Sequence, residues 1–398
     1  MKRGLSKPRL ERLRSLLDAG VERGDMPGFV ALVHRHGDTH VVVGGTLAAS
    51  GKEKMRRDTI FRISSLTKPV LAAAAMSMVE EGSLRLDDPV DELLPELADR
   101  RVLKCLSSPL EETVPAARSI TLRDLLTFRL GIGAVMDFSS RHPIQEAMEE
   151  AGVAPGPFMP TVTPDQYMAR LGKLPLIHQP GERWLYHTGS DVLGILLARA
   201  ADRSLAEVLQ ERLFQPLAMR DTGFHVPADK LKRFAGAYGY DSAASKLVCV
   251  DDSKEGRWSQ PPVFEAGSSG LVSTADDYLA FCRMMLAKGR HGRKCLLARP
   301  TVELMTTDQL LPSQKEGAEL FFGDSKSWGL GLAVTVRRTD LWETPGRFGW
   351  DGGLGTSAYT DPQEGLIGIL LTQRMMDSPQ PSRAYTDFWT SAYQAIDD

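Results

Sequence analysis

A serine and a lysine three positions apart, in Ser65-Leu66-Thr67-Lys68, set out the first chemistry available to this chain. They lie between an apolar strand-like stretch, Thr59 to Ile63, and an alanine-rich apolar run, Val70 to Val79, that reads as a buried helix. A serine just ahead of a helix turns its hydroxyl toward free backbone N–H groups and the positive end of the helix dipole. A lysine three positions on lies on the same face of the first turn. Desolvation in an apolar site lowers the pKa of such a lysine, and the neutral amine can then take the serine's proton. Pro69 suits this placement, because proline is tolerated in a first helical turn. The bland alternative is a capping serine followed by a surface lysine. Against it, this S-x-x-K occurs once, follows a strand, and leads into a helix too apolar for the surface.

Two further segments carry usable groups. In Trp184-Leu185-Tyr186-His187-Thr188, Tyr186 is a candidate phenolic base if positive charge lowers its pKa, and Lys68 can supply that charge. His187 is a rival base. A tyrosine beside a tryptophan ahead of a helix is also an ordinary pattern for core packing. The stretch Gly349-Trp350-Asp351-Gly352-Gly353-Leu354-Gly355 holds four glycines in seven residues. They allow close backbone approach to a ligand, and a free N–H there can join that of Ser65 as an oxyanion hole. A tight hairpin turn anchored by Trp350 is the alternative.

Other chemistries find little support. No G-x-S-x-G is present, which argues against an α/β-hydrolase nucleophile elbow. Cys105, Cys249, Cys282 and Cys295 have no C-x-x-C spacing and read as free thiols. His34-Arg35-His36 puts two histidines on one side of a strand, but no further ligands lie nearby, so an exposed strand edge is expected. The net charge of −3 is spread over interspersed acids and bases, which suggests no nucleic-acid partner. The N-terminal Met1-Lys2-Arg3-Gly4-Leu5-Ser6 is basic but no apolar segment follows, and no run approaches the ~18 apolar residues of a membrane span. The expectation is a cytoplasmic protein without a membrane partner.

The elements that must hold these residues follow from the pattern along the 398-residue chain, 42% hydrophobic and 25% charged. Ser6 is placed to cap a helix from about Pro8, with Leu10, Leu13, Leu17 and Val21 on one stripe and Gly24 at its end. Phe29 to His34 and Thr39 to Val43 read as a hairpin, and Thr59 to Ile63 as a third strand. From Gly82 to about Pro227 strand signals fade. A capped helix starts at Thr121, residues 132–163 are loop-rich and suit a wall or lid as well as they suit a plain surface loop, and Asp191 to Ala201 and Leu205 to Phe214 are helical. Sheet character returns after residue 235. Thr274 is a plausible N-cap for a helix from Ala275 to Leu286. Gly329 to Arg337, Thr356 to Thr360 and Gly365 to Thr372 read as antiparallel strands, and Ser382 to Ile396 as a closing helix. The expected fold is α+β: an antiparallel sheet domain from 1–80 and 235–398, flanked by N- and C-terminal helices, with a mainly helical lobe of 81–234 inserted. The active site is expected in the cleft between them.

Ser65-x-x-Lys68, Tyr186-x-Thr188 and Trp350-x-Gly352, in this order, resemble the motifs of the serine β-lactamase and penicillin-binding superfamily. The resemblance spans nearly the whole chain and is closest to class C β-lactamases and the related family VIII carboxylesterases. Leu86-Asp87-Asp88-Pro89 and Gly270 to Thr274 add to it. It implies a β-lactamase/transpeptidase-like fold and two-step acyl transfer, with Ser65 as nucleophile and Lys68 and Tyr186 sharing the role of base. Tyr186 would protonate the leaving group, and the N–H groups of Ser65 and Gly353 would hold the oxyanion. His187, Thr188, Trp350, Asp351 and Gly352 would contact substrate. No metal or organic cofactor is implied. Two departures bear on substrate. Thr188 stands where β-lactamases have asparagine, and Trp350 where they have a lysine that pairs with a substrate carboxylate. Trp350 offers an apolar face instead. The expected activity is cleavage of short- to medium-chain carboxylic esters, with weak β-lactam hydrolysis by the same machinery. The alternatives are a β-lactamase, D-amino-acid amidase or acyltransferase, and a non-catalytic penicillin-recognising module. Phe128-Arg129-Leu130-Gly131 also departs from the superfamily's usual His-Thr-Ser-Gly.

Overall fold

The computed structural model describes residues 4–137 and 139–397. The basic start Met1 to Arg3, and Phe138 within the 132–163 loop, lie outside the described residues.

Seven strands form one fully antiparallel sheet. From edge to edge they run Lys326–Trp328, Ala333–Thr335, Phe348–Gly352, Thr356–Asp361, Leu366–Thr372, Gly28–Arg35 and Asp38–Gly45. Strand alternation divides Gly28–Arg35 between two cores. Phe29, Ala31 and Val33 face one way, under the helices Lys7–Glu22 and Arg383–Gln394 that bring Leu13, Leu17, Phe388 and Trp389. Val30 and Leu32 face the other way, into the larger core that contains the helix Thr67–Glu80. The sheet is therefore covered on both sides, as its apolar strands require.

The helix Thr67–Glu80 is the centre of that larger core. Eleven of its residues are buried, Lys68 among them. Its run of alanines explains how: small side chains leave room for neighbours on every side, and no polar face ties the helix to solvent. Among the elements packed on it are the helices Thr188–Ala201 and Leu205–Leu209.

Local expectations hold where capping chemistry decides the boundary. Thr274 accepts from the Asp277 N–H at the head of Ala275–Leu286, and Thr121 forms a capping box with Asp124 at the head of Leu122–Leu126. Four expectations need correcting. The segment 329–337 is not one strand: Lys326–Trp328 and Ala333–Thr335 fold back on each other around Gly329 to Gly331. Thr59 to Ile63 contributes only Phe61–Arg62, paired with Val272–Ser273 outside the main sheet. The glycine-rich segment is itself a strand through Gly352, and only residues 353–355 turn. The His34 edge is buried, because its strand is flanked on both sides, and His34 Nδ1 meets Thr39 Oγ1 at 2.7 Å. Periodicity reports which face a residue takes, but not which strands lie beside it.

Candidate active site

Ser65 sits in a single 3-10 turn, Ser64–Leu66, that joins the short strand to the helix Thr67–Glu80. Ser64 has φ +50, an uncommon conformation for a residue with a side chain, so its neighbours must hold it. Thr67 Oγ1 donates to Ser64 O at 2.7 Å and accepts from the Leu271 N–H at 3.1 Å. Thr356 Oγ1 donates to Ile63 O at 2.9 Å, and Tyr278 Oη donates to Leu66 O at 3.1 Å. Gly352 makes the closest of these approaches possible. A Cβ there would lie 2.6 Å from Ile63 O and 2.1 Å from Thr356 Oγ1. The glycine of Trp350-x-Gly352 thus serves to dock the strand against the Ser65 turn, and Gly352 itself does not line the cavity.

Lys68 Nζ donates to Ser65 Oγ at 2.9 Å and to Ser268 O at 2.7 Å, and lies 4.5 Å from the centre of the Tyr186 ring. Burial pushes the amine down to about 7, against an opposing pull from the Asp191 carboxylate. Asp191 is buried too, and burial raises its carboxyl. The Ser268 peptide links the two groups: its N–H donates to Asp191 Oδ1 at 3.0 Å while its carbonyl accepts from Lys68. Gly267 lets that peptide in, since a Cβ there would stand 2.4 Å from Ser190 O. Asp191 and Ser268 have no motif that marks them; the only sequence signal is an acid directly ahead of the apolar run Val192 to Leu197.

Tyr186 reaches Ser65 with its hydroxyl. The Trp350 indole N–H donates to Tyr186 Oη at 2.6 Å. The phenol is not lowered as expected: burial raises its pKa, outweighing the hydrogen bonds from Ser65 and Trp350. In this site Lys68, not Tyr186, is the group with a proton affinity suited to a base near neutral pH. The ring is fixed by an aromatic nest that sequence reading missed. Trp184 stacks on it at 5.5 Å between centroids, Phe321 lies at 4.9 Å and Phe128 at 5.7 Å. Phe128 therefore gives the departure at 128–131 a consequence: it fills the space behind Tyr186 and packs on Trp328 at 4.8 Å.

These groups open onto one cavity of about 500 Å³. Ser65, Tyr186, His187, Trp350, Asp351 and Gly353 all line it. Apolar walls come from Ala134, Met136, Pro155 and Pro157 of the 132–163 segment, from Phe321 and Phe322, and from Met375 and Met376. Its charged side chains are Asp351, Glu343, Asp377 and Lys326, with Asp377 paired to Arg374. Asp351 accepts from Ser357 Oγ at 2.5 Å and Tyr359 Oη at 2.9 Å. Thr188 is fully buried and does not line the cavity. Such a constellation can carry an acyl group on Ser65, with a neutral amine to receive its proton and an apolar chamber for the acyl chain.

The β-lactamase family model matches residues 13–388. Protein Rv1367c of Mycobacterium tuberculosis is 39% identical over 332 residues, 81% of this chain and 79% of that protein. Esterase EstB of Burkholderia gladioli is 30% identical over 380 residues, 91% of this chain and 89% of its own. Among solved structures, EstCE1, a hydrolase with promiscuous acyltransferase activity, aligns with a TM-score of 0.80 over 97% of this chain and 98% of its own. At 24% identity that likeness speaks to fold.

Proposed function

The chain belongs to the β-lactamase family and is a serine hydrolase or acyltransferase of that superfamily, and from that premise we propose that it is a carboxylesterase for short- to medium-chain esters. One observation carries the reading: a buried lysine, held near neutrality, donates at 2.9 Å to a serine hydroxyl that opens onto an apolar cavity. Ser65 Oγ attacks the ester carbonyl while Lys68, as the free amine, takes its proton. Tyr186 relays a proton to the departing alkoxide. The Ser65 and Gly353 N–H groups receive the oxyanion. Water then releases the acid from Ser65.

Trp350 favours esters over β-lactams on two grounds. Its indole N–H is already used by Tyr186, and it brings no cation to pair with a substrate carboxylate. Asp351 and Glu343, which line the same cavity and outnumber its one lysine, Lys326, oppose an anionic substrate further. A cavity of this size is in the range that encloses small ligands. EstB, an esterase by name, supports the same choice.

The test is hydrolysis of p-nitrophenyl butyrate beside a chromogenic cephalosporin, by wild type and Ser65→Ala. Ester cleavage that vanishes in Ser65→Ala, with slow cephalosporin cleavage, is the expected result. Faster cephalosporin turnover would place the activity with the β-lactamases, and survival in Ser65→Ala would remove Ser65 as nucleophile. Among the described residues no helix is long and apolar enough to cross a membrane.

A further inference from the structure

His187 holds the least comfortable backbone conformation around the cavity, with φ 85 and ψ −67. The Thr188 N–H reaches back to Tyr186 O at 3.3 Å, which closes a γ-turn of the rare positive-φ hand. A glycine would occupy this position without strain, yet the chain places a histidine there. The result is an imidazole on the wall of the cavity that contains Ser65 and Tyr186.

We propose that His187 is the base that activates the water of the second half-reaction. The inference rests on the acyl-Ser65 pathway proposed above. Among the described residues Nδ1 of His187 has no hydrogen-bond partner and only Nε2 has a carboxylate beside it, so Nδ1 is available to a water. Burial, with Lys68 nearby, lowers its pKa and keeps it in the neutral form a base needs. Nε2 lies 3.6 Å from Asp191 Oδ2, one helical turn on. A carboxylate on that side favours the proton on Nε2 and leaves Nδ1 as an acceptor. The charged and titratable groups around the ring are Lys68 from the helix Thr67–Glu80, Asp191 on its own helix, and Tyr186.

The other candidates are committed elsewhere. Tyr186 holds its proton, because burial raises its pKa, and Lys68 Nζ lies against the serine oxygen of the ester that must leave. In the step itself, water oxygen bonds to the acyl carbon as its proton passes to His187. The tetrahedral intermediate then collapses. The bond to Ser65 Oγ breaks, and Oγ regains the proton. Acyl-serine and water give carboxylic acid and free serine.

Two variants that tolerate a positive φ test this, His187→Gly and His187→Asn. With p-nitrophenyl butyrate in stopped flow, each should give a burst of about one equivalent of p-nitrophenolate, followed by turnover reduced about a hundredfold. Intact-mass measurement should find one butyryl group on the chain, on Ser65. Added imidazole should restore turnover in His187→Gly, which a merely structural role would not allow. Steady turnover close to wild type, equal slowing of burst and turnover, or failure of imidazole to restore His187→Gly would each overturn the assignment. Failure of the acyl-serine pathway reads differently: no butyryl adduct forms in any variant, and Ser65→Ala retains turnover.

Discussion

Arg62 and Lys68 are both buried cations, six positions apart on the same strand, turn and helix, and their surroundings are opposite. Arg62 pairs with Asp251, donating from Nε at 2.7 Å, and gives its remaining N–H groups to the carbonyls of Ala235 and Asp252. Its guanidinium also lies 4.0 Å from the centre of the Phe234 ring. Among the described residues Lys68 has no carboxylate in contact. It has a hydroxyl, a carbonyl and an aromatic face, and Asp191 acts only across the Ser268 peptide. A buried cation with a contacting anion stays charged and ties elements together. A buried amine given only neutral partners sheds its proton and becomes a base. One segment thus anchors the fold at one end and, under the proposed mechanism, supplies the base at the other.

Substituting each cation by methionine is the sharpest way to break this contrast. Lys68→Met should lower ester turnover by about 10²- to 10⁴-fold with the urea midpoint unchanged or raised, because a desolvated amine is removed. Arg62→Met should do the reverse. It leaves Asp251 buried with only the longer 3.4 Å pair to the half-exposed Arg257, and should cost about 3–5 kcal/mol of stability, with turnover per folded molecule preserved. If Lys68→Met destabilises as much as Arg62→Met, the lysine is structural and the contrast fails. Tyr186→Phe should also reduce turnover by about 10²- to 10⁴-fold if the phenol relays the leaving-group proton. Turnover near wild type would leave that duty to Lys68 alone.

The pH dependence sharpens the reactive half. Lys68 must be unprotonated to accept from Ser65, so kcat/KM should rise with pH through about 7 and then level off. The Asp191 carboxylate raises the lysine's pKa, so Asp191→Asn should move this limb toward lower pH. A limb that stays in place would mean that another group titrates. The smallest effect is expected at Trp350→Phe, which keeps an aromatic ring and deletes the N–H to Tyr186. A lost hydrogen bond of about 0.5–1.5 kcal/mol corresponds to roughly two- to tenfold in turnover. Trp350→Lys should instead raise carboxylate-bearing cephalosporin cleavage relative to butyrate ester cleavage, and an unchanged ratio would sink the account of specificity given by Trp350.

The helix boundaries at Thr121 and Thr274 were legible because caps act over three or four residues. So were the antiparallel run from Thr356 to Thr372 and the buried faces of both terminal helices, since period and polarity are written locally. The spacing of Ser65 and Lys68 likewise follows from one helical turn. Other features depended on residues far apart in the chain. His34 is buried because Leu366–Thr372 pairs beside its strand, more than 300 positions away. The Tyr186 pKa moves up because Trp184, Phe128 and Phe321, drawn from three segments, exclude water from it.

By itself, then, the sequence determined which side chains are candidates for chemistry and which face of each element is apolar. Only the tertiary structure decided their proton affinities and partners. Asp191 reaches Lys68 through a peptide supplied by Ser268, Trp350 gives its N–H to Tyr186, and His187 is turned into the cavity by a strained peptide. The physical reason is that desolvation and hydrogen bonding depend on what surrounds a group in space, and here most of those surroundings come from distant parts of the chain.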